Sequence, residues 1–594
     1  MSRPTFLAVA DVVPELGQEL LVCLGRPESP LPAGREAMVI EETVTDEALA
    51  RLAGLDPARM AGGLVIATAT GEWRARPRNV LRAQKILACL YTKYVHMPLV
   101  TTRVPDLFGL RPAQSPPEYL HWLNQYRNTP LHLRHCLVDK LARQRVGLPC
   151  LLLLPGPSLR LVADHLPELA RRYLLVAISR TLPFLRERGL APDVLLQLDT
   201  VPLQQHFHRP DDRFPRSALL SLSIAPVHAI APRFRRVFFI DSFDVSILPN
   251  KARLRESWLS SLLPCLGAVE ALAAPQALVI GADLRHDGAS TYYNDAAGSP
   301  AATAPAWDKP LVTTPNGELV FADAQGRQAR TALQYFATAA EAERFAIDIG
   351  REQGTAFCNL SPSSILDPEV FAPLSLEQAL DAPVIDKDAF VARIDAADKA
   401  RETISLRALR AQYTRQLREA RRERDVFVCL RLSDKPENAA LHPCARYVEE
   451  NLPWFRPTGR ESRLRMAENL ADAVLRANRF ARNVAALHVA AAKGETPPVL
   501  TTAAEEPRAR EGLGQWRPGW NWRFLGVRAP GNDTAAPSAG AIDLNTLCDW
   551  LGGQDVVIIT PDCAREFAYV LELADNDNLL DLEAILAYRP LTAQ

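Results

Sequence analysis

The sequence predicts an α/β fold built on a largely parallel sheet, and three observations carry that prediction. Between residues 131 and 375, short β-rich runs alternate with helical segments, the order that βαβ crossovers produce. Most of these runs end in small or polar residues: Gly156 and Ser158, Ser179 and Arg180, Asp199 and Thr200, Asp241 and Ser242, Gly281 and Asp283. In open α/β sheets that edge holds ligands, and core packing alone does not require polar residues there. The third observation is the stretch Leu151-Leu-Leu-Leu-Pro-Gly-Pro-Ser-Leu159. An apolar run stops at Pro155 and Gly156, and an amphipathic helix is expected behind it. Gly156 suits a tight turn, Pro157 presets helix entry, and Ser158 is a candidate cap for the first N–H groups. A helix N-terminus at a strand end is a natural anion site. An ordinary capped strand–turn–helix is the alternative reading.

Taken in order, residues 1–130 form a mixed α/β region. A helix is expected over 45–52, a strand over 63–67 and a helix over 78–90, whose apolar face is Val80, Ala83, Leu87 and Leu90. Arg74, Arg76 and Arg78 lead into it, either as a solvated face or as a surface for phosphate, carbohydrate or a partner. The central domain, 131–380, has strands expected at 150–154, 173–178, 193–199, 217–224, 236–241, 277–282 and 356–360. Helices are expected over 160–171, 181–188, 254–272 and 331–351. Residues 385–493 read as a helical domain, with one long charged helix from 388 to 424 and another from 461 to 491. Residues 492–512 read as a linker. A small C-terminal α/β module follows over 513–594, with a buried strand at 555–560. Trp516, Trp520 and Trp522 stand at its start, either stacking on sugars or packing on their own domain.

Composition narrows the function. Lys and Arg number 68 against 69 Asp and Glu, a net charge of -1 that argues against broad binding to a nucleic-acid backbone. No apolar run reaches the roughly 18–20 residues needed to span a bilayer. The N-terminus lacks a charged segment followed by an apolar one, so a cytoplasmic protein without membrane insertion is expected. The 10 cysteines include no Cys-x-x-Cys pair, so neither a zinc site nor a disulfide framework is expected.

Four blocks of the central region, in order, resemble the MptE-like (DUF115) superfamily. Leu-Pro-Gly-Pro-Ser-Leu at 154–159 is similar to its Gly-x-Gly-Pro-Ser-Leu motif. Residues 175–185 resemble its second strand and helix. Gly189-Leu-Ala-Pro-Asp193, running on to Asp199, resembles its Gly-Ile-x-Pro-Asp block and strand-terminal Asp. Ile280-Gly-Ala-Asp-Leu-Arg-His-Asp-Gly288 is similar to its Gly-x-Asp-Leu block. The length and flanking domains resemble the motility-associated Maf proteins within that superfamily. The resemblance implies a Rossmann-like, sialyltransferase-like nucleotide-binding domain. It also implies transfer of a nonulosonic acid, pseudaminic or legionaminic, from a CMP-activated donor to Ser/Thr of flagellin. Short archaeal relatives are pterin pyrophosphokinases that use ATP. The sequence departs from the family where Leu154 replaces the first motif glycine, Pro155 follows it, and Ala282 replaces Gln. A His that family members often carry after the last block is absent, and Tyr292 and Tyr293 stand there.

Such a transfer needs a nucleotide cradle, a stabilised leaving phosphate and a base for the acceptor hydroxyl. The cradle candidates are Gly156, Pro157, Ser158, Ser179, Thr181, Asp199, Gly281, Asn359 and Ser361. Ser179 and Thr181 are placed to cap a second helix, and Asn359-Leu-Ser361 is either a ligand contact or a hydrogen-bonded turn. Arg285, Tyr292 and Tyr293 are candidate donors to phosphate oxygens. His286 is the candidate base, with Asp283 or Asp287 serving or orienting it. A surface histidine and a capping aspartate are the alternatives. No Asp-x-Asp motif accompanies the site, and Asp211-Asp212 reads as a solvent-facing loop, so neither a metal nor a cofactor is expected. Two other functions compete: a Mg-dependent pyrophosphokinase, and a scaffold that binds nucleotide or sugar without turnover.

Overall fold

The fold is described from a computed structural model. It describes residues 5–7, 19–26, 36–40, 46–60, 62–69, 77–92, 124, 128, 131, 136–198, 207–209, 211–223, 225–240, 254–255, 260–286, 292, 312–313, 319–322, 328–400, 479–480, 482–484, 486–487, 490, 493–516, 519–528, 542–543, 547, 550–551, 553–554, 556–566 and 578–587.

The chain is an α/β protein with parallel sheets. A four-stranded sheet comes first, formed by β1 (Thr5–Leu7), β2 (Leu20–Leu24), β3 (Ala37–Ile40) and β4 (Leu64–Thr68) in the order β1-β4-β2-β3. All its pairings are parallel. The central sheet has nine strands: β5 (Cys136–Leu137), β6 (Cys150–Leu153), β7 (Leu174–Ile178), β8 (Val194–Gln197), β9 (Phe214–Leu222), β10 (Phe234–Ile240), β11 (Gln276–Ile280), β15 (Ala356–Asn359) and β16 (Ala372–Pro373). Between β11 and β15, the short strands β12 (Val312–Thr313), β13 (Leu319–Ala322) and β14 (Gln328–Thr331) form an antiparallel meander. The central order is β16-β15-β11-β6-β7-β8-β9-β10-β5, and every pairing is parallel.

A parallel sheet covered on both faces needs continuous apolar strands rather than alternating ones. Leu151, Leu152 and Leu153 of β6, Leu174 to Ala177 of β7, and Ala277 to Ile280 of β11 are all 0% exposed. The returning crossover between β10 and β11 is the helix Leu262–Leu272, buried all round except at Glu270. From β6 the chain proceeds outward through β7, β8, β9 and β10. It then returns to place β11 on the other side of β6. The connections that follow β6 and β11 therefore run in opposite directions, and the topology puts the ligand crevice of such sheets between them, at the carboxyl edge.

Seven predicted strands are present with shifts of a few residues at their ends. The predicted helix 160–171 is instead a 3-10 segment, Pro157–Val162, followed by the α-helix Leu166–Arg172. The helix expected over 254–272 begins only at Leu262. The helix Lys387–Lys399 packs against the central sheet, with Asp395 bonded to Arg235 at 3.0 Å and Asp398 near Arg236 at 3.2 Å. Residues 401–478 lie outside the described residues, and with them most of the predicted helical domain.

The linker expected over 492–512 is absent from its place. That stretch holds β17 (Pro498–Thr501), the middle strand of a sheet with β18 (Arg523–Arg528), β19 (Ile542–Asp543), β20 (Val557–Ile559) and β21 (Leu579–Asp581), in the order β19-β18-β17-β20-β21. Two prolines at its start and a Thr/Glu-rich run behind it obscured this four-residue strand, which is buried throughout. Trp520 and Trp522 sit 5.1 Å apart and pack against the core of this sheet, which supports the self-packing reading of that cluster.

Candidate functional site

The β6 and β11 loops meet directly at the crevice. Leu154 N–H donates to Ile280 O at 3.0 Å, and Gly156 N–H donates to Gly281 O at 2.8 Å. A side chain has no room at either glycine. A Cβ on Gly156 would lie 2.4 Å from both Asp283 Oδ2 and Gly281 O, and one on Gly281, whose φ is +76°, would lie 1.9 Å from Leu154 O. These glycines serve the closure of two loops on each other. Leu284 has φ of 53°, a left-handed conformation that a branched side chain rarely adopts. Thr331 holds it by donating from Oγ1 to Leu284 O at 2.7 Å.

Three of the predicted cradle residues, Ser158, Gly281 and Ser361, form a lock with Asp283, Ser363 and Ser364. Asp283 is 3% exposed. Its Oδ2 accepts Ser158 N–H at 2.9 Å and its Oδ1 accepts the Ser363 hydroxyl at 2.8 Å. Ser158 Oγ and Ser361 Oγ lie 2.6 Å apart, and Gly281 N–H donates to both at 3.1 and 3.2 Å. Ser364 donates to Ala282 O at 2.7 Å. Burial pushes the Asp283 carboxyl up, opposed by the hydrogen bonds from Ser158 and Ser363 and by the charge of Arg285.

Several sequence readings are corrected here. Ser158 does not cap the following segment by its side chain; its N–H is taken by an internal carboxylate instead of an external anion. Asp283 has both oxygens engaged and no open face, so it is not placed to accept a proton from a substrate. Ser179 and Thr181 do not cap the helix Leu182–Arg186. Ser179 donates to Gln197 Oε1 at 2.6 Å, and Thr181 donates to Ile178 O at 2.9 Å. Asn359 Oδ1 accepts Ser361 N–H at 2.9 Å, the hydrogen-bonded turn. Asp193 belongs to the opposite edge, where it precedes β8, accepts Leu175 N–H at 2.8 Å and pairs with Lys387 at 2.5 Å. Asp212 is not a solvent-facing loop residue, since it pairs with Arg186 at 2.8 Å. Pro157 is buried at the first position of the 3-10 segment. Asp199, Asp287 and Tyr293 lie outside the described residues.

A second group rims the crevice. Arg180, exposed at the end of β7, places its guanidinium carbon 4.3 Å from the Tyr292 ring centroid and 5.7 Å from that of Phe207. His286 and Tyr335 have ring centroids 5.3 Å apart. Burial, the nearby Tyr292 and, in the opposite sense, Arg180 set the Tyr335 hydroxyl, whose net shift is upward. The His286 backbone N–H donates to Arg330 O at 2.8 Å, which ties the β11 loop to β14. Arg285 is 5% exposed beside Asp283. Arg180 and Tyr335 were not among the predicted site residues. The only signal for Arg180 was its place at a strand end, and nothing local marks Tyr335, which opens the helix Leu333–Gln353.

No family model matches the chain, and no curated protein matches it. Among solved structures, the chain is similar to the MAf glycosyltransferase from Magnetospirillum magneticum AMB-1. The likeness has a TM-score of 0.34 and 12% identity, over 77% of this chain and 70% of that one. So loose an overlap says nothing about what this chain binds.

Behind the rim lies a buried histidine. His208 Nε2 is 3.4 Å from Ser179 Oγ. Burial pushes its pKa down to about 4, aided by the charges of Arg233 and Arg186 and opposed by Asp212. It is neutral at ordinary pH and acts as packing for the β7 end. A cavity of about 810 Å³ lies elsewhere, beside Gly147 and Ala273, which precede β6 and β11 at the amino edge. Its Arg255 is already paired with Glu270, Asp348 and Glu352.

Among the described residues, no helix is long and apolar enough to cross a membrane.

Proposed function

We propose that this protein is a glycosyltransferase that moves a nonulosonic sugar from a CMP-activated donor to Ser/Thr hydroxyls of flagellin or a similar surface protein. One observation carries the reading. The two loops bearing the family-like blocks, 154–159 and 280–288, meet at the point where the strand order of a parallel sheet reverses, and Arg180, Tyr292, Tyr335 and His286 surround that point. The donor nucleotide lies across the end of β6, and Tyr292 donates to its phosphate. His286 takes the proton of the acceptor hydroxyl. The bond between the anomeric carbon and the phosphate oxygen breaks, the acceptor oxygen bonds to that carbon, and CMP leaves with its electron pair. The reaction runs in the cytoplasm and without a metal.

A second reading, a binding protein without turnover, draws on the engagement of both Asp283 oxygens within the chain. Incubation with a CMP-nonulosonate and unglycosylated flagellin separates the two. Transfer predicts a mass increase of one sugar per modified hydroxyl and release of CMP, with His286→Ala lowering the rate roughly 100-fold or more. Binding of donor without any mass increase would leave the scaffold reading standing.

A further inference from the structure

We propose that Arg180 is the oxyanion-recognising residue of the crevice, holding the phosphate or the sugar carboxylate of the donor while stacked on Tyr292. The inference rests on the nucleotide-sugar reading above and names a residue that the sequence analysis did not count among the site candidates.

The argument begins with strand order. Arg180 follows β7 and Tyr292 follows β11, while β6 lies between those strands. Two strand spacings separate β7 from β11, roughly 9–10 Å. The 4.3 Å approach of the Arg180 guanidinium to the Tyr292 ring therefore links the end of β7 to the segment that follows β11.

The stack is built from both sides. On the β7 side, the residue before Arg180 is fixed, because buried Ser179 is bonded to Gln197 at 2.6 Å. Phe207, the second ring near the guanidinium, has its carbonyl held by Arg186 Nη2 at 3.0 Å, and the same nitrogen pairs with Asp212 at 2.8 Å. On the other side, Tyr335 stands within electrostatic reach of both Tyr292 and Arg180 and against His286. A guanidinium whose face lies on a ring keeps its plane fixed and its N–H edge directed along that plane. This is the arrangement that binds a phosphate or carboxylate in two-pronged fashion. Asp283, Ser158, Ser361 and Ser363 are bonded to one another, and Arg180 supplies a positive charge at the neighbouring strand end.

The test is calorimetry on the full chain with three probes: cytidine, CMP and CMP-N-acetylneuraminate. Arg180→Ala is expected to weaken CMP roughly ten- to hundredfold and to leave cytidine unchanged if the phosphate is the partner. A loss confined to CMP-N-acetylneuraminate makes the carboxylate the partner. Arg180→Lys keeps the charge without the planar fork and is expected to fall between wild type and Arg180→Ala. Tyr292→Leu, which removes the ring, is expected to weaken the same probe as Arg180→Ala. Arg180 is exposed, so these effects should come with an unchanged Tm. Equal affinities of wild type and Arg180→Ala for all three probes would overturn the inference while leaving the nucleotide-sugar reading intact. A wild type that binds none of the three overturns that reading and the inference with it.

Discussion

Asp283 lies between two loops with a backbone N–H on one oxygen and a serine hydroxyl on the other. Its chemistry at that position is that of a tie. Asp283→Asn can still accept from Ser158 N–H and can donate to Ser363 Oγ, so the variant should fold and bind CMP as wild type does. Asp283→Ala leaves Ser158 N–H buried without a partner, at a cost of about 1–3 kcal/mol read by chemical denaturation. A folded Asp283→Asn protein that had lost ligand binding would return Asp283 to the chemistry. The Gly156 and Gly281 blocks were legible because a strand end followed by a turn is written in adjacent residues. The tie itself was not, because Asp283, Ser158 and Ser363 come from three different loops. The Arg180–Tyr292 stack was hidden for the same reason: each residue is unremarkable locally, and the sheet order brings them together.

At the scale of elements, the N-terminal helix Pro77–Tyr91 grips the loop that carries the crevice serines. Arg82 pairs with Asp367 at 2.8 Å, Arg78 pairs with Glu369, and Lys85 pairs with Glu343 while donating to Ile365 O at 3.0 Å. Glu343 also accepts Asp367 N–H at 2.9 Å. Lys85 is 1% exposed and Glu343 6%, and burial pushes the Glu343 carboxyl up while Lys85 opposes it. Lys85→Met strands a buried carboxylate and should cost about 3–5 kcal/mol, seen as a fall in Tm. Lys85→Met with Glu343→Gln keeps the bond to Asp367 N–H without a buried charge and should recover much of that loss. A double variant as unstable as the single one would mean that packing, not charge, holds this contact. The amphipathic pattern of this helix was legible, whereas its ion ladder depended on partners 258 to 291 residues away along the chain. Seven central strands could be read because each is an apolar run. The two-residue strands β5 and β16 could not, because their place is fixed by neighbours and not by their own residues.

Among the described residues, three parallel sheets reverse their strand order, the N-terminal one beside β2, the central one beside β6 and the C-terminal one beside β17. The C-terminal reversal is filled by the chain itself. Glu505 accepts Asp562 N–H at 3.0 Å and Cys563 N–H at 3.3 Å. Against the upward push of partial burial, its hydrogen bonds hold this carboxyl below the usual range. The central reversal is likewise tied by Asp283, which accepts Ser158 N–H at 2.9 Å, and it differs in having the Arg180 guanidinium 4.3 Å from the Tyr292 ring at the adjoining strand end. Hydrogen exchange on the full chain, with and without CMP, tests this choice of site most directly. The account predicts new protection in peptides covering 152–160, 178–184 and 280–287. Protection confined to 498–505 and 558–564, or no protection at saturating CMP, would contradict it.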